Sequence, residues 1–244
     1  ANRDEFYDRP SATAAWWTDA PSILAGRDLK AGGSWLGIDR RGRFAAVTNY
    51  RQGQRELPAL RSRGHLVSSF LTTGIDPGAH IERVRTDTAL YNGFNLIAGD
   101  TRQLFYFSNR EGGARELAPG IYGLSNHLLD TAWPKVTSAK NTLNALLADD
   151  ATGLVDGLFA LLSDRNRPAD RLLPQTGVSR EWERLLSSAF IATSDYGTRS
   201  STVVLVGHNG GIVFVERNFS SGGAPAEQVR HEFELDRFAR ASST

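Results

Sequence analysis

The stretch STVVLVGHNGGIVFVER, Ser201 to Arg217, decides the architecture of this 244-residue chain. Two apolar runs flank His208-Asn209-Gly210-Gly211. An Asn-Gly pair in that setting is the strongest short-range hairpin signal, because both residues accept the positive φ that a two-residue turn requires. Val203 to Val206 is apolar at every position. Successive side chains on a strand point to opposite faces, so this strand needs cover on both. Two sheets packed together, with helices outside, provide it.

Working outward, the same signals recur. SWLGID and RFAAVTNY are apolar runs separated by Arg40-Arg41-Gly42, and FNLIAGD with QLFYFSN makes another pair. Leu117 to Leu124 reads as a strand around Pro119-Gly120, and QVRHEFEL as the last strand. The first stretch after the opening ANRDEFYDRP reads as loop up to Gly33, punctuated by Asp19-Ala20-Pro21 and two glycines. Residues 64–73 and 77–90 suit helices. From Pro134 the period lengthens, and Val136, Ala139, Leu143, Leu146 and Leu147 recur at helical spacing behind a proline suited to a first turn. Leu154, Val155, Leu158, Phe159, Leu161 and Leu162 do the same, as do Trp182, Leu185, Leu186, Ala189 and Phe190 behind Ser179 as N-cap. Strands and helices thus come in blocks, with hairpins joining the strands. That predicts an α+β fold, a four-layer αββα sandwich of two antiparallel sheets flanked by helices. With no linker or repeat in view, residues 1–235 read as a single domain and 236–244 as a frayed tail.

The net charge is +1, and lysine is confined to Lys30, Lys135 and Lys140. A nucleic-acid partner calls for a clear basic excess, which is missing. No apolar run is long enough to span a bilayer and no leader pattern is visible, so the chain reads as cytoplasmic. Cysteine is absent, which excludes disulfides and thiolate metal sites for these residues. Methionine is absent too, and for that reason Ala1 reads as an internal position of a longer gene product.

The glycine-rich AGGSWLG, Ala31 to Gly37, lacks the lysine of a phosphate loop and leads into a strand, so it reads as a turn. Five scattered histidines show no ligand spacing, and no metal site is expected. No G-x-S-x-G elbow singles out a serine. Asn49, Asn126 and Arg199 are more informative, since each stands at the mouth of an apolar strand where several strands can converge on one cleft. Singly, each fits turn geometry or a solvated charge. Together with Arg3-Asp4 they raise the prospect of a site. Arginines 40, 41, 43, 51, 55, 61 and 63 cluster around RFAAVTNY and its exit, and read as a solvated loop.

Six collinear blocks, ANRDEFYDRP, GGSWLGI, AAVTNYR, YNGFNLIAGD, YGLSNHLLDTAWPK and YGTRSSTVVLV, resemble the TANGO2 family. Its members are also called NRDE proteins, after the motif standing here as Asn2-Arg3-Asp4-Glu5, and the likeness, to a bacterial-type member, runs from Ala1 to about Leu235. The resemblance implies a fold similar to the N-terminal nucleophile hydrolases. It also implies a Met-Cys start and a hairpin of about twenty residues ahead of Ala1. The implied activity is cysteine-dependent hydrolysis of an amide or thioester of an apolar acyl compound. Arg3 and Asp4 would tune and orient the nucleophile, Asn126 would donate to the oxyanion, and Arg199 matches a late arginine of the bile-salt hydrolase and penicillin V acylase branch. Asn2, Glu5, Asn49, Tyr50 and Trp35 are the implied substrate contacts. Arg3 and Asp4 reach one cleft only if the strand has ended there, since adjacent strand residues face opposite ways.

Family members are also associated with Golgi organisation, haem export and lipid metabolism. That implies an alternative, a non-catalytic carrier of haem or acyl-coenzyme A. The NRDE motif would clamp the anionic group, and Trp16, Trp17 and Trp35 would supply apolar walls. Neither reading requires a cofactor; haem enters as a bound ligand, and the expected partner is a small apolar acyl or haem-like molecule.

Overall fold

The computed structural model describes residues 1–53, 61–148 and 153–236. In chain order its elements are β1 (Asn2–Phe6), β2 (Ser11–Trp16), β3 (Ile23–Asp28), β4 (Leu36–Asp39), β5 (Phe44–Asn49), α1 (Gly64–Thr73), α2 (Pro77–Thr86), β6 (Phe94–Gly99), β7 (Leu104–Ser108) and β8 (Ala114–Glu116). After them come α3 (Pro134–Ala148), α4 (Leu154–Leu162), α5 (Arg180–Leu185), β9 (Tyr196–Val206), β10 (Gly211–Ser220) and β11 (Ala224–Glu234). The strands form a seven-stranded sheet, β2 to β8 in sequence order, and a four-stranded sheet ordered β1-β9-β10-β11. Every pairing is antiparallel.

The β9–β10 hairpin forms where the Asn-Gly pair places it, but Asn209 does not take positive φ, and the connection is a longer turn closed by the Gly210 amide on the Gly207 carbonyl at 2.9 Å. Gly210 takes φ +86°, and the Gly207 amide donates to the Gly211 carbonyl at 2.8 Å. Both faces of the hairpin are covered. Val204, Ile212 and Phe214 pack on Leu24, Leu36 and Ile38 of the larger sheet. Val203, Leu205, Val213 and Val215 pack on Val155, Leu158, Phe159 and Leu162 of α4. On the far side of the larger sheet, Leu66, Val67, Phe70 and Leu71 of α1 and Ile81 and Val84 of α2 meet Ile23, Ala45, Phe94, Leu96 and Phe107. The packing order is therefore helix, sheet, sheet, helix, and burying each large side chain contributes about 1.5–3 kcal/mol.

Three local expectations fail. Ser11–Trp16 and Ile23–Asp28 are strands rather than loop. The alanine-rich SATAAW has little strand propensity of its own, and pairing with β3 under the inter-sheet core overrides it. Asp19-Ala20-Pro21 belongs to the turn between them, closed by the Trp17 amide on the Ile23 carbonyl at 3.0 Å. Leu117–Leu124 is not a strand: one ladder bond persists, from the Leu117 amide to the Leu104 carbonyl at 2.7 Å, and then Pro119 has no amide hydrogen to offer. α5 does begin at Ser179, whose hydroxyl accepts from the Trp182 amide at 3.3 Å, but it stops at Leu185, short of Ala189 and Phe190. Residues 237–244 of the expected tail, and Arg55, lie outside the described residues. Among the described residues no helix is long and apolar enough to cross a membrane.

Candidate functional site

β1 is the edge strand of the smaller sheet, paired on one side with β9. Arg3 faces Ser200 and Asp4 faces Thr198 in the register, so Arg199 is the extra residue of a bulge. The strand runs through the whole Asn2-Arg3-Asp4-Glu5 motif. Alternation therefore sends Asn2 and Asp4 toward the outer helix layer and Arg3 and Glu5 toward the other sheet.

On the helix side, the Thr198 hydroxyl donates to Asp4 Oδ1 at 2.7 Å. Burial pushes the Asp4 carboxyl up, opposed by that hydrogen bond and by the charges of Lys135, Arg51 and Arg3. Lys135, in the first turn of α3, donates to the Leu186 and Ser188 carbonyls at 2.9 and 3.3 Å. Burial brings its ammonium down to about 8, with Asp4 resisting and Arg51 assisting. Arg51 pairs with Glu183 at 3.1 Å, reaches Asn126 Oδ1 at 3.5 Å and lies 4.9 Å from the Trp133 ring centroid. Its amide donates to the Asn126 carbonyl at 2.7 Å, and the Asn126 side chain donates to the Asn49 carbonyl at 3.1 Å. Tyr50 and His127 meet at 2.8 Å, and Thr131 holds the other ring nitrogen of His127 at 2.9 Å. Tyr196 closes this side, edge-on to Phe6 and Trp182; burial first, and then Asp4 and Glu5, raise its phenol.

Asn2 shares the face of Asp4 but is fully engaged. Its amide donates to the Leu162 and Ala189 carbonyls at 2.8 and 2.7 Å, and its oxygen accepts from Ser201 at 2.6 Å. It ties the edge strand to the end of α4.

On the sheet side, the Arg3 guanidinium lies 4.3 Å from the Trp35 ring centroid and makes one long hydrogen bond, to Ser11 at 3.5 Å. Burial lowers its pKa, with Glu5 and Asp28 opposing and Arg199 and Arg9 adding. Glu5 accepts from the Phe6 amide at 2.9 Å and pairs with Arg9 at 3.6 Å. Arg199 serves the β1–β2 turn, where Nη1 donates to the carbonyls of Phe6, Tyr7 and Arg9 at 3.0, 3.1 and 3.0 Å while Nε, buried, has no hydrogen-bond partner.

The sequence-expected residues thus divide. Asp4 shares a network with Asn126, and Tyr50 and the Asn49 carbonyl adjoin it, while the Asn49 side chain is exposed. Arg3, Glu5, Trp35 and Arg199 lie on the opposite face. The three tryptophans do not form one wall either. Trp35 and Trp16 pack in the inter-sheet core, whereas Trp17 is buried on the helix side of the larger sheet, its indole donating to the Ala25 carbonyl at 3.1 Å. The solvated-loop reading of the arginines fails for Arg43 and Arg51, which are buried by the carbonyls and carboxylates they serve. Lys135, Thr198 and Glu183 were missed as site residues. The available signal for Lys135 was its rarity as a lysine in an arginine-rich chain, right after Trp133-Pro134. For Glu183 it was a carboxylate inside an otherwise apolar helical stripe.

A family model described as Transport and Golgi organisation 2 matches residues 1–221. A bovine protein named Transport and Golgi organization protein 2 homolog is 43% identical over 259 residues, covering 96% of this chain and 91% of that protein. The human homolog of the same name is 40% identical over 252 residues, with the same coverage. A Drosophila melanogaster protein named Transport and Golgi organization protein 2 is 26% identical over 257 residues, covering 97% of this chain and 90% of its own length.

Proposed function

The chain belongs to the Transport and Golgi organisation 2 family, and from that premise we propose that it is a hydrolase of N-terminal-nucleophile type, cleaving an amide or thioester of an apolar acyl compound. One observation carries the reading. Asp4, on an edge strand and hydrogen-bonded by Thr198 at 2.7 Å, and Lys135, held by α3 on the Leu186 and Ser188 carbonyls at 2.9 and 3.3 Å, are buried opposite charges that act on each other, with both pKa values moved by burial. Groups so shifted are the usual holders of a proton in a reaction. The nucleophile is the cysteine that the family resemblance sets ahead of the Asn2–Glu5 motif. Its thiolate attacks the acyl carbon, and the C–N or C–S bond breaks. The leaving nitrogen or sulfur takes the electron pair and a proton from the Lys135 ammonium. Water then hydrolyses the acyl thioester to a carboxylate, and Lys135 regains its proton. Asp4 steadies the charged lysine, and Asn126, held by Arg51 and the Asn49 carbonyl, faces the oxyanion.

A second reading rests on a different observation. Arg3 makes only one long hydrogen bond while lying on an indole, which suits a cation awaiting an anionic group beside an apolar surface. On that reading the chain is a carrier of haem or an acyl-coenzyme A, and the transport in the relatives' names is the more direct description.

Mass spectrometry of the full natural chain incubated with a long-chain acyl-coenzyme A and a panel of acyl amides separates the two. Cleavage that disappears in Asp4→Asn and Lys135→Met, both still folded by circular dichroism, supports the hydrolase. Stoichiometric binding without cleavage, lost in Arg3→Ala and retained in Lys135→Met, overturns it in favour of the carrier.

A further inference from the structure

A cleft of about 410 Å³ opens between the β4–β5 turn, the link from α1 to α2, and the β6–β7 turn. None of its lining residues belongs to the group around Asp4. Arg43 is one wall. It is 7% exposed, and Nη2 is fixed on the Phe70 and Ile75 carbonyls at 2.6 and 2.9 Å, with the guanidinium carbon 4.2 Å from the Phe70 ring centroid. Its other terminal nitrogen, Nη1, has no hydrogen-bond partner. The nearest carboxylate oxygen is Asp39 Oδ2 at 3.9 Å, itself without a hydrogen bond. A buried guanidinium anchored on one side and unsatisfied on the other is a preorganised donor.

A second guanidinium converges on it. Gly74, the left-handed C-cap of α1 at φ +70°, leaves an empty position where a Cβ would stand. That point is 3.5 Å from Arg41 Nη2 and 3.9 Å from Arg43 Nη1. Arg102 stands at the rim with its side chain 74% exposed.

Two of the nearby carboxylates, Asp76 and Asp100, have most of their lone pairs committed to other donors. Asp76 Oδ1 takes the Gly78 and Ala79 amides at 2.9 and 3.2 Å, and Oδ2 takes Gln103 at 3.0 Å. Asp100 Oδ1 takes the Arg102 and Gln103 amides at 2.7 and 3.1 Å, and Oδ2 takes the Arg102 guanidinium at 3.2 Å. Asp39 is the exception: its Oδ2 lies 3.6 Å from Arg41 Nε and 3.9 Å from Arg43 Nη1 and takes a hydrogen bond from neither, so one acceptor and one donor stay unsatisfied side by side.

We propose that this cleft binds a small molecule through a phosphate group seated over Gly74 between Arg41 and Arg43, with Arg102 exchanging its Asp100 pair for the phosphate as it closes from the rim. Arg43 cannot offer the two-pronged fork that a carboxylate takes best, since one prong holds backbone carbonyls. Single donors from three directions suit a tetrahedral oxyanion with three terminal oxygens. The cleft is also within the size range that houses a small organic ligand, so a phosphate monoester with an organic body fits better than inorganic phosphate. A phospholipid headgroup presents the same chemistry.

The test is titration calorimetry of the purified chain with glycerol 3-phosphate and with succinate, alongside co-sedimentation with phosphatidylcholine vesicles containing phosphatidic acid. Saturable one-to-one binding of glycerol 3-phosphate, weaker for succinate and reduced about tenfold or more in Arg41→Gln/Arg102→Gln, supports a soluble ligand. Vesicle binding lost in the same double variant, without soluble binding, supports the same phosphate site and assigns it to lipid. Both substituted side chains are exposed, and circular dichroism with the unfolding midpoint checks that the double variant stays folded, since Arg41 also pairs with the buried Asp39. No saturable binding at millimolar probe in either arm, equal affinity for succinate, or binding indifferent to the double variant overturns the proposal.

Discussion

Arg51 and Glu183, 132 positions apart, meet as a 3.1 Å ion pair with side chains 7% and 4% exposed. The other Glu183 oxygen accepts both the amide and the hydroxyl of Thr176 at 2.7 Å. The pair fixes the strand exit after β5 against α5, and through the Arg51 amide it sets Asn126 in place.

Removing one partner strands a buried charge, which costs about 3–5 kcal/mol. Arg51→Met should therefore lower the unfolding free energy by about that much in urea titrations. Arg51→Met with Glu183→Leu should lose less than the two single variants added together, because no charge is left alone. Strict additivity would show that the pair contributes nothing.

Arg3 and Arg199 should separate by the kind of defect they cause. Arg199→Ala removes three charge-assisted bonds to the β1–β2 turn and should cost about 2–4 kcal/mol, with faster proteolysis between Phe6 and Pro10. Arg3→Ala loses one long hydrogen bond and an indole contact, about 1 kcal/mol. Its defect should show in ligand binding or turnover. Limited proteolysis beside the calorimetric assay reads both.

His80 is 3% exposed against Phe70, and burial holds its imidazole down at about 4, with Arg43 and Arg83 adding and the Leu66 backbone opposing. The folded value lies below the unfolded one, so on acidification the unfolded chain takes the proton first. Stability is complete above about pH 6.5 and falls as the pH drops toward 4, by on the order of 3 kcal/mol in all. His80→Phe should flatten that part of the profile in thermal scans across the same range.

Lys135 titrates in the opposite part of the scale. Its folded value of about 8 lies below the ordinary 10.5, so between those limits the unfolded chain holds a proton that the folded chain has released. Unfolding free energy should rise across this window. Lys135→Met should remove the rise.

At Gly26, in β3, an added Cβ would overlap the Trp35 ring that supports Arg3. Gly26→Ala should cost about 1–3 kcal/mol through overpacking and disturb whatever Arg3 binds. Adding Trp35→Leu should restore stability without restoring the Arg3 function.

Much of this fold could be read because patterning and turn chemistry agreed. Val203–Val206 named its own need for two covers, and Asn209-Gly210 located the hairpin, though its turn is longer than the two-residue form. Pro134 and Ser179 marked helix starts. Ser11–Trp16 was illegible because alanines carry no strand signal until a partner buries one face. Leu117–Leu124 misled for the opposite reason, as its apolar content is spent on irregular packing after a proline. The site was legible as a list of residues but not as an arrangement. Nothing local says that Arg199 turns back to staple Phe6–Arg9, or that Glu183 crosses to Arg51. Those contacts depend on chain segments that only the tertiary structure brings together.

The alternation along β1 gives the four-letter motif a parity. Asn2 and Asp4 belong to one compartment, Arg3 and Glu5 to another, although all four are neighbours in the gene. Epistasis should follow that division rather than proximity along the chain. Arg3 with Glu5 should combine non-additively because they act on each other directly, while combinations across the strand should couple more weakly, Arg3 with Asp4 keeping only the charge interaction between them. A saturation library of residues 2–5 would then resolve into two interleaved allelic series, each with its own suppressors: around Ser201 for Asn2 and Lys135 and Thr198 for Asp4 at the even positions, around Trp35 and Asp28 for Arg3 at the odd.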